Sequence, residues 1–190
     1  MQRFILASAS ARRRRLLSAV GLEFDVVETG VAEEPLEGEM PRDFALRMAC
    51  SKALAASAIN LERLVLGADT IVELEGEIIG KPKTDDEARS ILARLSGRTH
   101  TVITALAIAH GGKILESEAV LSRVTFRALS GEEIDAYVLS REPFDKAGAY
   151  GVQGLGRSFV TQLEGSFSNV MGLPVENALV ALKRHLLPTA

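Results

Sequence analysis

The sequence predicts an α/β domain built on a mixed, twisted sheet flanked by helices. Strand-like and helix-like stretches interleave without the strict alternation that builds an all-parallel sheet. Two glycine-containing two-residue turns, Glu75-Gly76 and Gly111-Gly112, join strand-like runs, so hairpins belong in the sheet. With 190 residues, 47% of them hydrophobic and 25% charged, the chain suits one domain, or two lobes sharing a core.

The elements follow in order. Phe4–Ala7 reads as a short buried strand, and Ala11–Val20 as a helix closed by Gly21 in the left-handed position. Leu22–Glu28 is a second strand, and the acidic, aperiodic stretch 29–40 is a loop. Pro41 opens a helix to about Ala58. Leu64–Leu74 is rich in β formers and turns into 77–79. Thr84 caps a helix over Asp85–Leu95, stopped at Ser96-Gly97. Thr101–Ala109 pairs with a strand reaching Phe126. Ser130 and Glu133 have capping-box spacing and start a helix to about Ser140. A loop-rich stretch, 141–156, precedes a strand over Ser158–Leu163, and Pro174 opens the last helix. No repeat, low-complexity segment or linker interrupts this order.

Bulk properties exclude several classes. No apolar run reaches the ~18 residues that would span a bilayer. The basic block of the first fifteen residues follows the apolar stretch, the reverse of a signal peptide. A single cysteine, Cys50, leaves no internal disulfide or cysteine zinc cage, and a cytoplasmic location is expected. The net charge of -3 and pI near 5.7 make any anion site local and argue against a nucleic-acid partner.

Arg12, Arg13, Arg14 and Arg15 stand in the first turns of the first helix. Cations there oppose the helix dipole at a cost of about 0.3–1 kcal/mol each. An anion bound between them and the free backbone N–H groups would remove that cost. Arg12 and Arg13 lie one turn before Leu16 and Leu17, so they should point along the protein's own groove, with Arg14 and Arg15 more toward solvent. A merely solvated basic face is the alternative. Ser8 and Ser10 add hydroxyls, and Ser10 also suits the helix cap.

Asp69 interrupts the apolar run Leu64–Val72. Burying a carboxylate there demands a cation, a metal or a function. Asp69 is therefore either a general base toward a water attacking phosphorus, with or without a metal, or a residue that ends the strand in a turn. Gly67 would let another group approach the backbone closely. Lys52 falls near the apolar stripe of its helix, four residues after Met48, and either snorkels or serves a site. Lys81 is held extended by Pro82 and could reach a phosphate. Glu33 and Glu34 are solvated loop acids or, with Asp69, oxygen ligands for Mg²⁺. His100, His110 and His185 lack metal-ligand spacing. Gln153, in the glycine-rich stretch 145–154, could read a base edge or simply face water.

These pieces stand in an order that resembles the Maf family. The resemblance is carried by Leu6-Ala7-Ser8-Ala9-Ser10-Ala11-Arg12-Arg13, Gly67-Ala68-Asp69-Thr70, Gly80-Lys81-Pro82 and Ser96-Gly97-Arg98-Thr99-His100-Thr101-Val102-Ile103-Thr104. Asp145-Lys146-Ala147-Gly148-Ala149-Tyr150-Gly151-Val152-Gln153-Gly154 and Asn169-Val170-Met171-Gly172-Leu173-Pro174 complete it, so nearly the whole chain is covered. It implies a nucleoside triphosphate pyrophosphatase, with an elongated two-lobed body and central cleft similar to inosine triphosphate pyrophosphatases. It implies that Asp69 accepts the proton, that Ser8, Arg12, Arg13, Lys52 and Lys81 contact phosphate, and that Glu33 is a further acid. A divalent cation, Mg²⁺ or Mn²⁺, is the implied cofactor, and its ligands stay open, as does a homodimer. Three selective positions fall on Arg12, Thr70 and Gln153, the set of the branch acting on dTTP and UTP rather than 7-methyl-GTP. Ala11 stands where the family usually has proline, with slightly looser positioning of Arg12 expected. Rival readings are a 7-methyl-GTP pyrophosphatase, a non-catalytic nucleotide sensor linked to septum formation, and a nucleic-acid module.

Overall fold

The computed structural model describes residues 3–186. Seven strands, β1 (Phe4–Ala7), β2 (Phe24–Val26), β3 (Val65–Leu74), β4 (Glu77–Ile79), β5 (Thr99–His110), β6 (Lys113–Phe126) and β7 (Val160–Glu164), form the sheet. Six helices accompany them: α1 (Ala11–Ala19), α2 (Pro41–Ala58), α3 (Asp85–Leu95), α4 (Gly131–Leu139), α5 (Phe167–Val170) and α6 (Val175–Leu186). The strand order is β2-β1-β3-β5-β6-β7, with β4 also paired to β3. β1 runs parallel to β2 and β3, whereas β3–β4 and β6–β7 are antiparallel, so the sheet is mixed as predicted.

Local chemistry accounts for most boundaries. Both hairpin turns have two positive-φ residues, Glu75 and Gly76 (54° and 84°) and Gly111 and Gly112 (57° and 73°). That is the geometry whose twist matches flanking antiparallel strands. Thr84 and Ser130 cap α3 and α4 through their side chains, and Ser130 with Glu133 completes the capping box. β2 is shorter than its apolar run and β5 begins two residues earlier than expected. Three short 3₁₀ turns occupy the loop-rich stretch and continue to Phe159, so β7 begins two residues later than expected, and the four-residue α5 was not anticipated. One turn of helix leaves no 3.6-residue period to detect.

The chain divides into two compact units. Unit 1 takes the chain up to Thr70, then Thr104–Val120, then the chain from Gly172; unit 2 takes Ile71–Ile103 and Leu121–Met171. The core of unit 1 gathers Leu6, Leu66, Leu106 and Ile108 from strands with Leu17 and Leu182 from α1 and α6. Unit 2 buries Leu92 and Leu95 of α3 against Val102, Val124, Phe126 and Tyr150.

His100 lies inside the unit 2 core, 2% exposed, edge-on to Phe126 and Tyr150, with Nε2 2.7 Å from the Tyr150 hydroxyl. Burial pushes its pKa down from 6.5 to about 4, because the fold does not solvate an imidazolium there. The folded state therefore holds His100 neutral at a pH where the unfolded chain already takes up the proton. Its stabilising share is intact above pH 6.5 and is lost as pH falls toward about 4. Urea titrations across that window should show wild-type stability falling by up to roughly 3 kcal/mol from this group, with a visibly flatter slope in His100→Gln. Equal slopes in both proteins would remove His100 as the cause.

Candidate active site

The site in unit 1 starts where β1 ends. β1 stops at Ala7, which is in register with Gly67 of β3. Beyond that point β3 continues through Asp69 and Thr70 without a β1 partner. Chain leaving a parallel strand there turns into the N-terminus of α1, the usual crevice of such sheets.

On one face of β3, Gly67 and Asp69 point toward α2, since residues two apart share a face. A Cβ at Gly67 would stand 2.4 Å from the Ala49 carbonyl oxygen and 2.7 Å from the Ala53 nitrogen. Helix and strand backbones therefore touch, as the sequence anticipated for this glycine. The contact delivers Lys52, one residue before Ala53, to Asp69. Lys52 Nζ lies 2.5 Å from Asp69 Oδ1 and 2.6 Å from Glu33 Oε1. Lys52 and Asp69 are only 8% and 7% exposed, and Glu33 is exposed. Asp69 lies mid-strand, five residues before β3 ends, so it does not terminate the strand in a turn. Lys52, expected among the phosphate contacts, spends two of its three N–H donors on acids.

The loop carrying Glu33 is pinned to α2. Arg47 donates two hydrogen bonds of 2.6 Å to Glu39 and one of 2.9 Å to the Glu34 carbonyl. The Arg47 guanidinium holds the Glu39 carboxyl at about 2, well below the usual range.

Thr70 points to the opposite face, toward α1. Arg13 Nη2 donates to Thr70 Oγ1 (2.9 Å), Nη1 to Ser8 Oγ (3.0 Å) and Nε to the Gly172 carbonyl (2.7 Å). Arg13 is 7% exposed, and all three acceptors are neutral oxygens. Burial lowers its pKa, opposed by the fields of Asp69 and Glu33 and assisted by Arg12. A buried guanidinium that donates only to neutral oxygens among the described residues is costly unless an anion arrives. Ser10 caps α1, accepting from the Arg13 N–H at 3.4 Å.

Ser8, Arg12, Arg13, Glu33, Lys52, Asp69 and Thr70 thus all belong to unit 1. The four arginines are graded: Arg13 is buried, Arg12 and Arg14 are half-buried and Arg15 is exposed. Arg12 and Arg13, read alike from the sequence, therefore differ in burial, and Arg14 donates to the Ala9 carbonyl at 3.0 Å in an exposed hydrogen bond. Lys81 and Gln153 lie in unit 2, both exposed. The segment before Lys81 is tied by a hydrogen bond from Gly148 N to the Gly80 carbonyl. Unit 2 also carries an open crease of about 480 Å³ lined by Glu73, Arg98, Thr99, Thr101 and Arg123, none of them predicted as a site residue. Sequence reasoning missed Thr104 and the Gly172 carbonyl, both bonded to the Thr70 hydroxyl. A lone hydroxyl in the buried run Val102–Ala109 was the available signal for Thr104. No group of three or more His, Cys, Asp or Glu residues that could hold a metal occurs among the described residues.

The family profile described as Maf-like protein matches residues 3–185. The chain belongs to the Maf family. A protein of Geobacter sulfurreducens named dTTP/UTP pyrophosphatase is 46% identical over 183 residues, covering 96% of each chain. One of Methylococcus capsulatus with the same name is 49% identical over 185 residues, covering 97% of this chain and 91% of the other. The solved Ham1 protein of Staphylococcus aureus superposes with a TM-score of 0.52 at 16% identity, covering 97% of this Maf chain and 98% of that one, a likeness of fold alone. No helix among the described residues is long and apolar enough to cross a membrane.

Three substitutions probe the Maf site's frame. Lys52→Met leaves the Asp69 carboxylate buried without its cation and should cost roughly 3 kcal/mol in urea unfolding at neutral pH. Adding Asp69→Asn should recover part of that loss, and strict additivity would break the pairing argument. Gly67→Ala must push α2 off β3, so thermal unfolding should report a loss of ~1–3 kcal/mol together with reduced turnover.

Proposed function

We propose that this chain hydrolyses dTTP and UTP between the α- and β-phosphates, releasing the monophosphate and pyrophosphate. The observation that carries the reading is that two neighbouring residues of β3, where β1 no longer covers the strand, present an acid, Asp69, and a hydroxyl, Thr70, that accepts from the buried Arg13 guanidinium of α1. The names of the related proteins support the same substrates.

In the proposed reaction the triphosphate lies across the N-terminus of α1. The remaining N–H groups of Arg13, the third Lys52 N–H, Arg12 and the Ser8 hydroxyl bind its oxygens. Asp69 takes a proton from the water that attacks the α-phosphorus, while Lys52 fixes the carboxylate through Oδ1. Charge accumulates on the departing pyrophosphate, so cations already in place lower the barrier. Lys81 and Gln153 keep the roles that family resemblance implies, phosphate binding and base selection.

A divalent cation fits the oxygen donors present: Asp69 and Glu33 would hold it, the one or two carboxylates that Mg²⁺ commonly takes beside water and phosphate. Bound there, Mg²⁺ or Mn²⁺ would neutralise charge on the phosphate oxygens.

The test is product analysis of dTTP, UTP, GTP and 7-methyl-GTP at equal concentration with Mg²⁺ or Mn²⁺. Monophosphate and pyrophosphate from the pyrimidine triphosphates are expected. Preference for 7-methyl-GTP, or binding without any product, would overturn the assignment. Asp69→Asn should lower kcat by about 10²–10⁴-fold with substrate binding retained. Near-normal turnover by that variant would remove Asp69 as the base.

A further inference from the structure

Thr70 occupies a position that family resemblance ties to substrate choice, and its hydroxyl is already engaged by three polar groups of the protein. A threonine hydroxyl offers one proton and two lone pairs. Arg13 Nη2, which can only donate, takes one lone pair at 2.9 Å. The Gly172 carbonyl, which can only accept, can take the proton at 3.2 Å. Thr104 Oγ1 lies 2.9 Å away, and either hydroxyl of that pair can be the donor. All three neighbours of the hydroxyl belong to unit 1.

What this cluster holds is Arg13. Its Nε donates to the same Gly172 carbonyl, and its Nη1 to Ser8 Oγ. Gly172 has φ of 115°, a conformation side chains rarely adopt, and in it one carbonyl receives both Thr70 and Arg13. Ser8 Oγ also accepts from the Ser10 N–H at 3.2 Å, so its own proton is a donor for something else. Three of the five guanidinium N–H groups are used, leaving two. The donors that remain, two from Arg13 and one from Ser8, all suit phosphate oxygens.

We infer that Thr70, Thr104 and the Gly172 carbonyl are positioning groups that fix Arg13 for the phosphates, so that position 70 acts on phosphate binding and not by contact with the base. This rests on the nucleoside triphosphate reading above. Thr104 is fully buried, and valine would fill its space, so Thr104→Val tests the hydroxyl alone. Loss of one such hydrogen bond corresponds to about a 3–10-fold effect.

Thr104→Val and Thr70→Val should each raise KM by about 3–10-fold, by the same factor for dTTP, UTP and GTP. The inhibition constant for pyrophosphate should rise in step, and the ratio of kcat/KM between dTTP and GTP should not move. The double variant should be little worse than either single one, because both act through the same guanidinium. Thr104→Ser, which restores the hydroxyl, should recover wild-type KM. A changed dTTP-to-GTP ratio in Thr70→Val but not in Thr104→Val would overturn the inference in favour of direct base contact. A lowered Tm with KM unchanged in both variants would reduce the cluster to a structural role and equally overturn it. If the wild type cleaves no triphosphate, the pyrophosphatase reading fails. The positioning inference is then decided by calorimetric affinity for inorganic tripolyphosphate, expected to fall by the same factor in both variants.

Discussion

The site depends on how closely α2 can lie against β3. At Gly67 the two backbones leave no room for a Cβ, and that approach puts an ammonium 2.5 Å from a carboxylate that would otherwise be buried alone. A lysine side chain is long, yet it loses much freedom when buried, so only a short, fixed span makes the pair favourable. The exposed Glu33 then joins from the far side of the same amine, held by a loop that Arg47 clamps through Glu39 and the Glu34 carbonyl.

The two faces of β3 divide the work. The strand's alternation sends Asp69 to α2 and Thr70 to α1, so consecutive residues serve different tasks. The Asp69 side holds one cation between two acids, a net negative charge. The Thr70 side holds a guanidinium that donates to three neutral oxygens. An anion resting at the end of β1 would meet both: positive charge seeking a partner, and a carboxylate able to take a proton. Asp69 and Glu33 already act on Arg13 through space, opposing the lowering of its pKa, so the two faces are electrically coupled without touching.

Unit 2 follows different rules. Its core is aromatic, with Phe126, Tyr150, Tyr137 and Phe159 in edge-on contacts, and it buries His100 as one more ring. The same burial that favours packing removes the charged form of the imidazole. The absence of metal-ligand spacing around that histidine in the sequence agrees with its place in the structure, where it is a neutral core residue.

Much of this was legible in residue order. Elements with local causes were fixed by local chemistry: the two-residue turns at Glu75-Gly76 and Gly111-Gly112, the caps at Thr84 and Ser130, and Pro41 at the head of α2. Asp69 in an apolar strand announced a need for a cation, a metal or a function, which Lys52 answers in part, and the arginines at a helix N-terminus read as an anion site or a solvated basic face. Residue order did not say which cation answers which need. Arg12 and Arg13 read alike, each one turn ahead of a leucine, and only packing separates them by burying Arg13. The partners that decide the matter stand far apart in the chain, Lys52 and Asp69 by 17 positions, Arg13 and Thr70 by 57, Arg13 and Gly172 by 159. Their meeting is a consequence of strand register and of which face each side chain takes. A sequence by itself determines where charge must be compensated, because burial and dipoles act locally; the tertiary structure decides by whom, because hydrogen bonds a few ångströms long select among partners that only the fold brings within reach.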